Sequence, residues 1–216
     1  MIRTLRDCLA LPGASIDPKV TTVARNRKEI PRDERAAEIV TAAAELFLKQ
    51  GYSSTTMADI SRRVGATPAN VYWYYPSKDE LFAAVMDRML GRQMVALKYE
   101  LVELDPLSRL VRSLADMRAY RQLHQAMHHR MGESVAVTQA HDGFLDWIRG
   151  MVTQVTDSRD VDDPQMVIDA VICVFEGVSS IEPSRTATEL IRYLLLNLTA
   201  PRDLSVAGAP DRAAKT

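Results

Sequence analysis

Helix-start and helix-stop signals follow one another closely between residues 51 and 80, and this feature constrains the fold more than any other. Residues typical of helix N-caps occur at Thr56, Thr67 and Ser77, and residues that end helices occur at Gly51, Gly65 and Pro76. Thr56 and Ser77 each precede a carboxylate by three residues, as in a capping box. Pro68 suits the first position of a helix, where no backbone N–H is needed. The pattern predicts two short helices, 57–64 and 68–75, between two longer ones.

Both flanking segments have the apolar spacing of amphipathic helices. From Asp33 to Gly51 and from Ser77 to Met89, apolar residues recur at steps of three and four. Nothing in this stretch has the alternating pattern of a strand. The order is therefore long helix, short helix, tight turn, short helix, long helix.

The second short helix has an inner and an outer face at 100° per residue. Val71 and Tyr75 lie on the inner face with Pro68, and the outer face and its flanks carry Ala69, Asn70, Tyr72, Trp73 and Tyr74. Asparagine can pair with the edge of adenine, and alanine or tryptophan can pack on a thymine methyl group. Tyrosine hydroxyls can reach phosphates. Packing within the helical cluster is the alternative, which we accept for Tyr75 but which the helical wheel disfavours for Tyr72 and Trp73.

Three motifs in this region resemble the tetracycline-repressor (TetR) family. They are TTMADI at 55–60, VG at 64–65 and VYWYYPSKDELF at 71–82, in the order and spacing of that family, and the similarity extends over roughly residues 33–90. The resemblance implies a ligand-responsive repressor that binds a near-palindromic double-stranded DNA operator as a homodimer and takes a small-molecule effector, with activation as the alternative. It implies contact with DNA at Thr56, Thr67, Asn70, Tyr72, Trp73, Tyr74 and Lys78, and we add Pro68 and Ala69 between them.

The predicted architecture is all-α with two domains. Residues 32–78 form a three-helix helix-turn-helix DNA-binding domain, and a linking helix joins it to a larger ligand-binding and dimerisation domain within 79–200. Residues 1–31 are expected to be a flexible extension and 201–216 a disordered tail. The basic residues Arg25, Arg27 and Lys28 belong to a solvated tail or to an arm that follows DNA.

The second half of the chain is also helical by pattern. One long helix is predicted from about 106 to 129 and another around 137–155. The segment 164–180 is apolar nearly all round, and 185–199 has a broad apolar face. Such surplus apolar surface needs partners on more than one side. The two segments form either a dimer interface or the core of their own domain.

The sequence also contains candidate residues for a ligand pocket and for a metal site. The adaptable or aromatic candidates for a pocket are Met117, Tyr120, His124, Phe144, Trp147, Met151 and Phe175, although ordinary core packing explains them equally well. His124 and His128, one helical turn apart, could share a metal with Glu133 or His141. No glutamate stands between them as in zinc peptidases, and we expect neither a metal nor a cofactor.

Charge and cysteine content limit the remaining function classes. The net charge is -1, but residues 19–92 contain 12 basic and 9 acidic residues, which permits a local DNA-binding surface. Cys8 and Cys173 suggest neither a disulfide framework nor a metal knuckle. We find no signal for a membrane helix or for catalysis and expect a cytoplasmic, nucleoid-associated regulator. The alternative is a helical small-molecule- or metal-binding protein whose helix-turn-helix is only structural.

Overall fold

The computed structural model describes residues 31–159, 161–180 and 185–199, and within these ranges every regular element is helical. The helices are α1 Arg32–Gln50, α2 Met57–Arg63, α3 Pro68–Tyr74, α4 Lys78–Tyr99, α5 Pro106–Met117, α6 Arg121–Met131, α7 Val135–Asp157, α8 Pro164–Ser180 and α9 Ala187–Leu198. The predicted all-α fold class is confirmed. The extension predicted over 1–31 lies outside the described residues except for Pro31, and the tail over 201–216 lies wholly outside them. None of the described helices is long and apolar enough to span a bilayer.

The chain forms two compact units. The amino-terminal unit comprises 31–94 and 120–142, and the carboxy-terminal unit comprises the described residues of 95–119 and 143–199. Helices α4 and α7 each contribute residues to both units. Residues 120–142 therefore group with the helix-turn-helix segment, although the predicted domain boundary was placed at residue 78.

The helix borders near the turn agree with the caps that the sequence predicts. Thr56 and Asp59 form a complete capping box at the start of α2, and Thr67 accepts a hydrogen bond from the Asn70 N–H at the start of α3. Gly51 and Gly65 adopt φ angles of 83° and 61°, which side chains with a Cβ rarely tolerate. These local signals set the lengths of α1, α2 and α3.

Packed aromatic rings lie in the core of the amino-terminal unit. Phe47 of α1 meets Phe82 of α4 edge-on at 5.4 Å between ring centroids, and Tyr52 lies 4.8 Å from Phe82. Leu123 and Met127 of α6 are fully buried in the same core cluster. Val71, the buried residue of α3, belongs to this same cluster, as do Met57 and Ile60 of α2, on which α3 packs.

The single helix predicted over 106–129 is wrong, because a 3-10 turn at Arg118–Tyr120 separates α5 from α6. Leu107, Leu110 and Leu114 are buried in α5, while Leu123 and Met127 are buried in α6. At 100° per residue, one continuous helix would point these two sets about 150° apart. Because the helix is broken, the buried residues of α5 can pack within the carboxy-terminal unit and those of α6 within the amino-terminal unit.

The carboxy-terminal unit is built on packing of α9 against both α5 and α8. Ile191 and Leu195 of α9 are fully buried, and Val167 and Val171 line the buried side of α8. A capping box between Thr186 and Glu189 starts α9.

Candidate nucleic-acid interface

Helix α3 presents a polar and aromatic outer face. Val71 is fully buried, whereas Trp73 is 61% exposed and Tyr72 46% exposed. Asn70 is also exposed, one turn before Trp73 and Tyr74. The other predicted contact residues at the start of the helix are exposed as well: Thr67, Pro68 and Ala69. Because one buried valine anchors the helix, most of its remaining surface is available to a partner.

Trp73 lies between a cation and a second ring. The guanidinium carbon of Arg32 is 4.8 Å from the Trp73 ring centroid, and Tyr74 packs edge-on against Trp73 at 4.7 Å. Such a cation over an indole face is attractive. Tyr74 is half-buried and also packs against the core, so it acts mainly as a support for Trp73. Arg32 could not be predicted from the sequence, because only the fold brings the first residue of α1 to α3.

Lys78, at the start of α4, is hydrogen-bonded within the protein. Its Nζ donates to the carbonyl oxygens of Tyr52 and Thr55, both at 3.1 Å, and lies 4.0 Å from the centroid of the Tyr52 ring. Partial burial lowers the pKa of Lys78. An ammonium has three donors. Lys78 therefore fastens the loop between α1 and α2, and two of its donors are committed before any phosphate is reached.

The two predicted threonines are helix caps. Thr56 Oγ1 accepts from the Asp59 N–H at 3.1 Å and donates to Asp59 Oδ2 at 2.6 Å, and Asp59 also accepts from the Thr56 N–H. The bond from the Thr56 hydroxyl is the main cause of a lowered pKa for Asp59. The Asp59 carboxylate thus accepts the hydrogen bond of the Thr56 N–H, which could otherwise bind a phosphate. At the start of α3, the Thr67 hydroxyl accepts a hydrogen bond from the Asn70 N–H at 3.3 Å.

An ion-pair network fixes the start of α4 to α6. Arg130 donates to both carboxylate oxygens of Asp79, from Nη2 at 2.7 Å and from Nε at 3.2 Å. The Tyr52 hydroxyl donates to the same carboxylate. The bond from Arg130 is the largest reason why the pKa of Asp79 lies below its usual range. Asp79 and Lys78 are neighbours, so α6 is coupled directly to the end of the α3–α4 turn.

The predicted pocket residues are divided between the two units. In the carboxy-terminal unit, the rings of Trp147 and Phe175 lie 5.7 and 5.3 Å from that of Phe144. Met151 is buried and Met117 half-buried. Tyr120 and His124 instead belong to the amino-terminal unit, where Tyr120 packs against the core.

The predicted histidine cluster is brought together in part. The ring centroids of His124 and His128 are 4.6 Å apart, and that of His141 is 5.0 Å from His128. Glu133, the other suggested partner, is exposed and accepts a hydrogen bond from Arg130.

Residues 39–85 match the model of the bacterial regulatory proteins of the tetR family. The chain resembles the TetR family. This confirms the resemblance predicted from the motifs, and the matched segment runs from α1 into α4.

Two curated relatives show how far the sequence similarity reaches. The HTH-type transcriptional activator FasR of Mycolicibacterium smegmatis is 38% identical over 64 residues, 30% of this chain and 29% of that protein. An HTH-type transcriptional repressor of Mycobacterium tuberculosis is 32% identical over 115 residues, 49% of this chain and 61% of the relative. The chain thus spans less than two thirds of the length of these relatives.

Solved structures extend the fold similarity over most of the chain. A TetR transcription regulator from Haloarcula marismortui has a TM-score of 0.62 at 20% identity, covering 77% of this chain and 97% of that one. Salmonella enterica GusR has a TM-score of 0.58 at 22% identity, covering 79% and 98%. At this identity the likeness establishes the fold.

Proposed function

We propose that this protein is a DNA-binding transcriptional regulator that places α3 in the major groove. The observation that carries the proposal is the outer face of α3, where Asn70, Tyr72 and Trp73 are exposed on a helix anchored by buried Val71. A large exposed aromatic surface at a helix-turn-helix fits a partner surface better than it fits water. The names of the curated relatives, all transcriptional regulators, support the same function.

The contacts divide into base reading and phosphate positioning. The Asn70 amide can bond both N6 and N7 of adenine, while Ala69 and Trp73 offer apolar surface to a thymine methyl group. Tyr72 and Arg32 flank this set and can reach phosphates, which fixes the register of the helix on the duplex. The proposed role of Lys78 is secondary, because its ammonium is already shared with two carbonyl groups.

A homodimer through α8 and α9 would double this interface. The inner sides of both helices are buried, but Met166, Tyr193 and Leu196 are 61%, 70% and 43% exposed. Apolar residues on the outside of a helix pair favour a self-complementary contact, as in a two-fold dimer. This supports a combination of the two alternatives from the sequence, in which the buried sides form the core and the exposed sides form the proposed interface. The two α3 helices would then read half-sites about 34–36 Å apart, or a multiple of this spacing.

An effector pocket is proposed beside Phe144, Trp147 and Phe175. The rings cluster in the carboxy-terminal unit, and the indole N–H of Trp147 is buried without a hydrogen-bond partner among the described residues. A buried donor of this kind costs free energy until an acceptor meets it. The expected effector is an apolar or aromatic molecule that carries a hydrogen-bond acceptor.

The response to the effector is proposed to be a population shift. Phe144 and Trp147 stand on α7, whose earlier residues belong to the amino-terminal unit. That unit ties α6 to α4 through Arg130 and Asp79. A ligand that favours one arrangement of α7 can therefore change the population of dimers whose α3 helices match the operator. Repression released by the effector is the proposed outcome, and activation is the alternative.

Selection of bound fragments from genomic DNA of the source organism tests the proposal. We expect the wild-type protein to enrich a near-palindromic site, and a variant with Asn70→Ala and Trp73→Ala to enrich none. Tyr99→Ala is the matched control, because Tyr99 is 67% exposed but stands at the far end of α4. Enrichment of the same site by the double variant would contradict the placement of α3 in the groove.

A further inference from the structure

Three histidines of the amino-terminal unit converge from two helices. His124 and His128 are one turn apart on α6, which places both on one face of that helix, and His141 stands on α7. Their ring centroids are separated by 4.6, 5.0 and 6.1 Å. Each ring offers a nitrogen within 4.8 Å of the nitrogens of the other two. One ion at their centre could therefore contact all three rings.

The cluster is enclosed by packed helices. His124 and His141 are only 7% and 3% exposed, and His128 is half-buried. Met127 and Ala140, each one residue from a histidine, are buried in the hydrophobic core. This apolar packing fixes the two helices that carry the histidines. The ring nitrogens can therefore move closer to one another by rotation of the histidine side chains.

We propose that His124, His128 and His141 bind a divalent transition-metal ion, with Zn²⁺ as the best match. Imidazole nitrogens suit Zn²⁺, Cu²⁺ and Ni²⁺. In a tetrahedral zinc site with Zn–N bonds of about 2.0–2.1 Å, the nitrogens stand about 3.4 Å apart. The observed spread of up to 4.8 Å closes to that value by small rotations of the three rings. Three protein ligands leave a fourth position for water or for an external donor.

A carboxylate next to the cluster supports a cation there. Asp142 Oδ1 lies 3.9 Å from His141 Nδ1. At this separation the carboxylate favours positive charge nearby through its own charge, although it is too far from the ring to accept a hydrogen bond. This site departs from the expectation of no metal, because the sequence contained no information on the distance between α6 and α7.

Titration of the metal-free full-length protein with Zn²⁺ alone measures the site directly. We expect one ion per chain in calorimetry, and a tetrahedral absorption spectrum without a thiolate charge-transfer band when Co²⁺ is used instead. Cys173 is an exposed thiol, so Cys173→Ser is included and should bind equally well. Loss of binding in Cys173→Ser, or no binding at micromolar Zn²⁺, would overturn the proposal.

Histidine variants locate the ligands. His128→Gln and His141→Gln should each lower the affinity by more than about 100-fold, because even residues that only support ligands account for 10–100-fold. His129→Gln is the matched control, an exposed histidine on the same helix that should bind as the wild type does. Unchanged affinity in both cluster variants would overturn the site. If the His141→Gln variant does not fold, the zinc affinity of the His128→Gln variant, whose position is half-buried, tests the site on its own. No DNA is involved, so this outcome is independent of the proposed function.

Discussion

At the scale of single residues, the predicted DNA-contact residues divide into side chains that lie outside the core and side chains that also hold the protein together. Asn70 and Trp73 are exposed, and neither is part of the core. Lys78 instead bonds two carbonyl groups 26 and 23 residues away in sequence. The helical wheel predicted the first kind of residue. It could not predict the role of Lys78, because that role depends on where the α1–α2 loop folds back.

Asn70→Ala should relax specificity at one base pair of each half-site. The loss of a bidentate amide–adenine contact corresponds to about 1–3 kcal/mol of discrimination. Competition binding between the selected site and single-base variants measures it. The variant should lose its preference at one position and keep it at the others. A uniform loss at all positions would show that Asn70 contacts phosphate rather than a base.

Lys78→Met should weaken folding, whereas Trp73→Ala should not. The methionine keeps the aliphatic stem but removes both bonds to the loop, and we expect a loss of about 1–2 kcal/mol in the free energy of unfolding, since the ammonium is partly solvated. Urea unfolding of both variants measures the difference. Equal stability of Lys78→Met and the wild type would mean that the loop does not depend on these bonds.

At the scale of elements, the caps of α2 and α3 involve residues close together in the chain and could be predicted from the sequence. The break between α5 and α6 was not predicted. The reversal of the apolar phase between Leu114 and Leu123 was visible and would have indicated it. The pairing of Asp79 with Arg130 was not visible, since 51 residues separate them. The sequence offered Glu133 and His141 as alternative partners of the α6 histidines, and only the fold shows that His141 is the one beside them.

The Asp79–Arg130 pair should make stability depend on pH in the acid range. Because the pKa of Asp79 is lowered in the folded protein, its contribution is fully present above the unfolded value of about 3.9 and is lost as the pH falls through the folded value. Unfolding free energies of the wild type and Asp79→Asn should differ at pH 7 and converge below about pH 4. A constant difference between the two proteins down to pH 3 would rule out this carboxylate as the cause.

At the scale of the whole molecule, the proposed dimer would place two α3 helices on one operator. Tyr193→Asp with Leu196→Asp changes only exposed positions of α9 and should convert the proposed dimer to a monomer. Val135→Asp, at a 75% exposed position of α7, is the control and should stay dimeric. Sedimentation velocity distinguishes them. A dimer that survives the α9 changes would place the interface elsewhere.

The salt dependence of binding to the selected operator, followed by fluorescence anisotropy, shows whether α3 reads DNA. The wild type should bind tightly, with an affinity that falls steeply and linearly in log–log form as phosphate contacts release counterions. Trp73→Ala should bind the operator no better than a scrambled duplex, with its fold intact. Equal affinity of the wild type for the operator and the scrambled duplex at every salt concentration would mean that α3 does not read a DNA sequence.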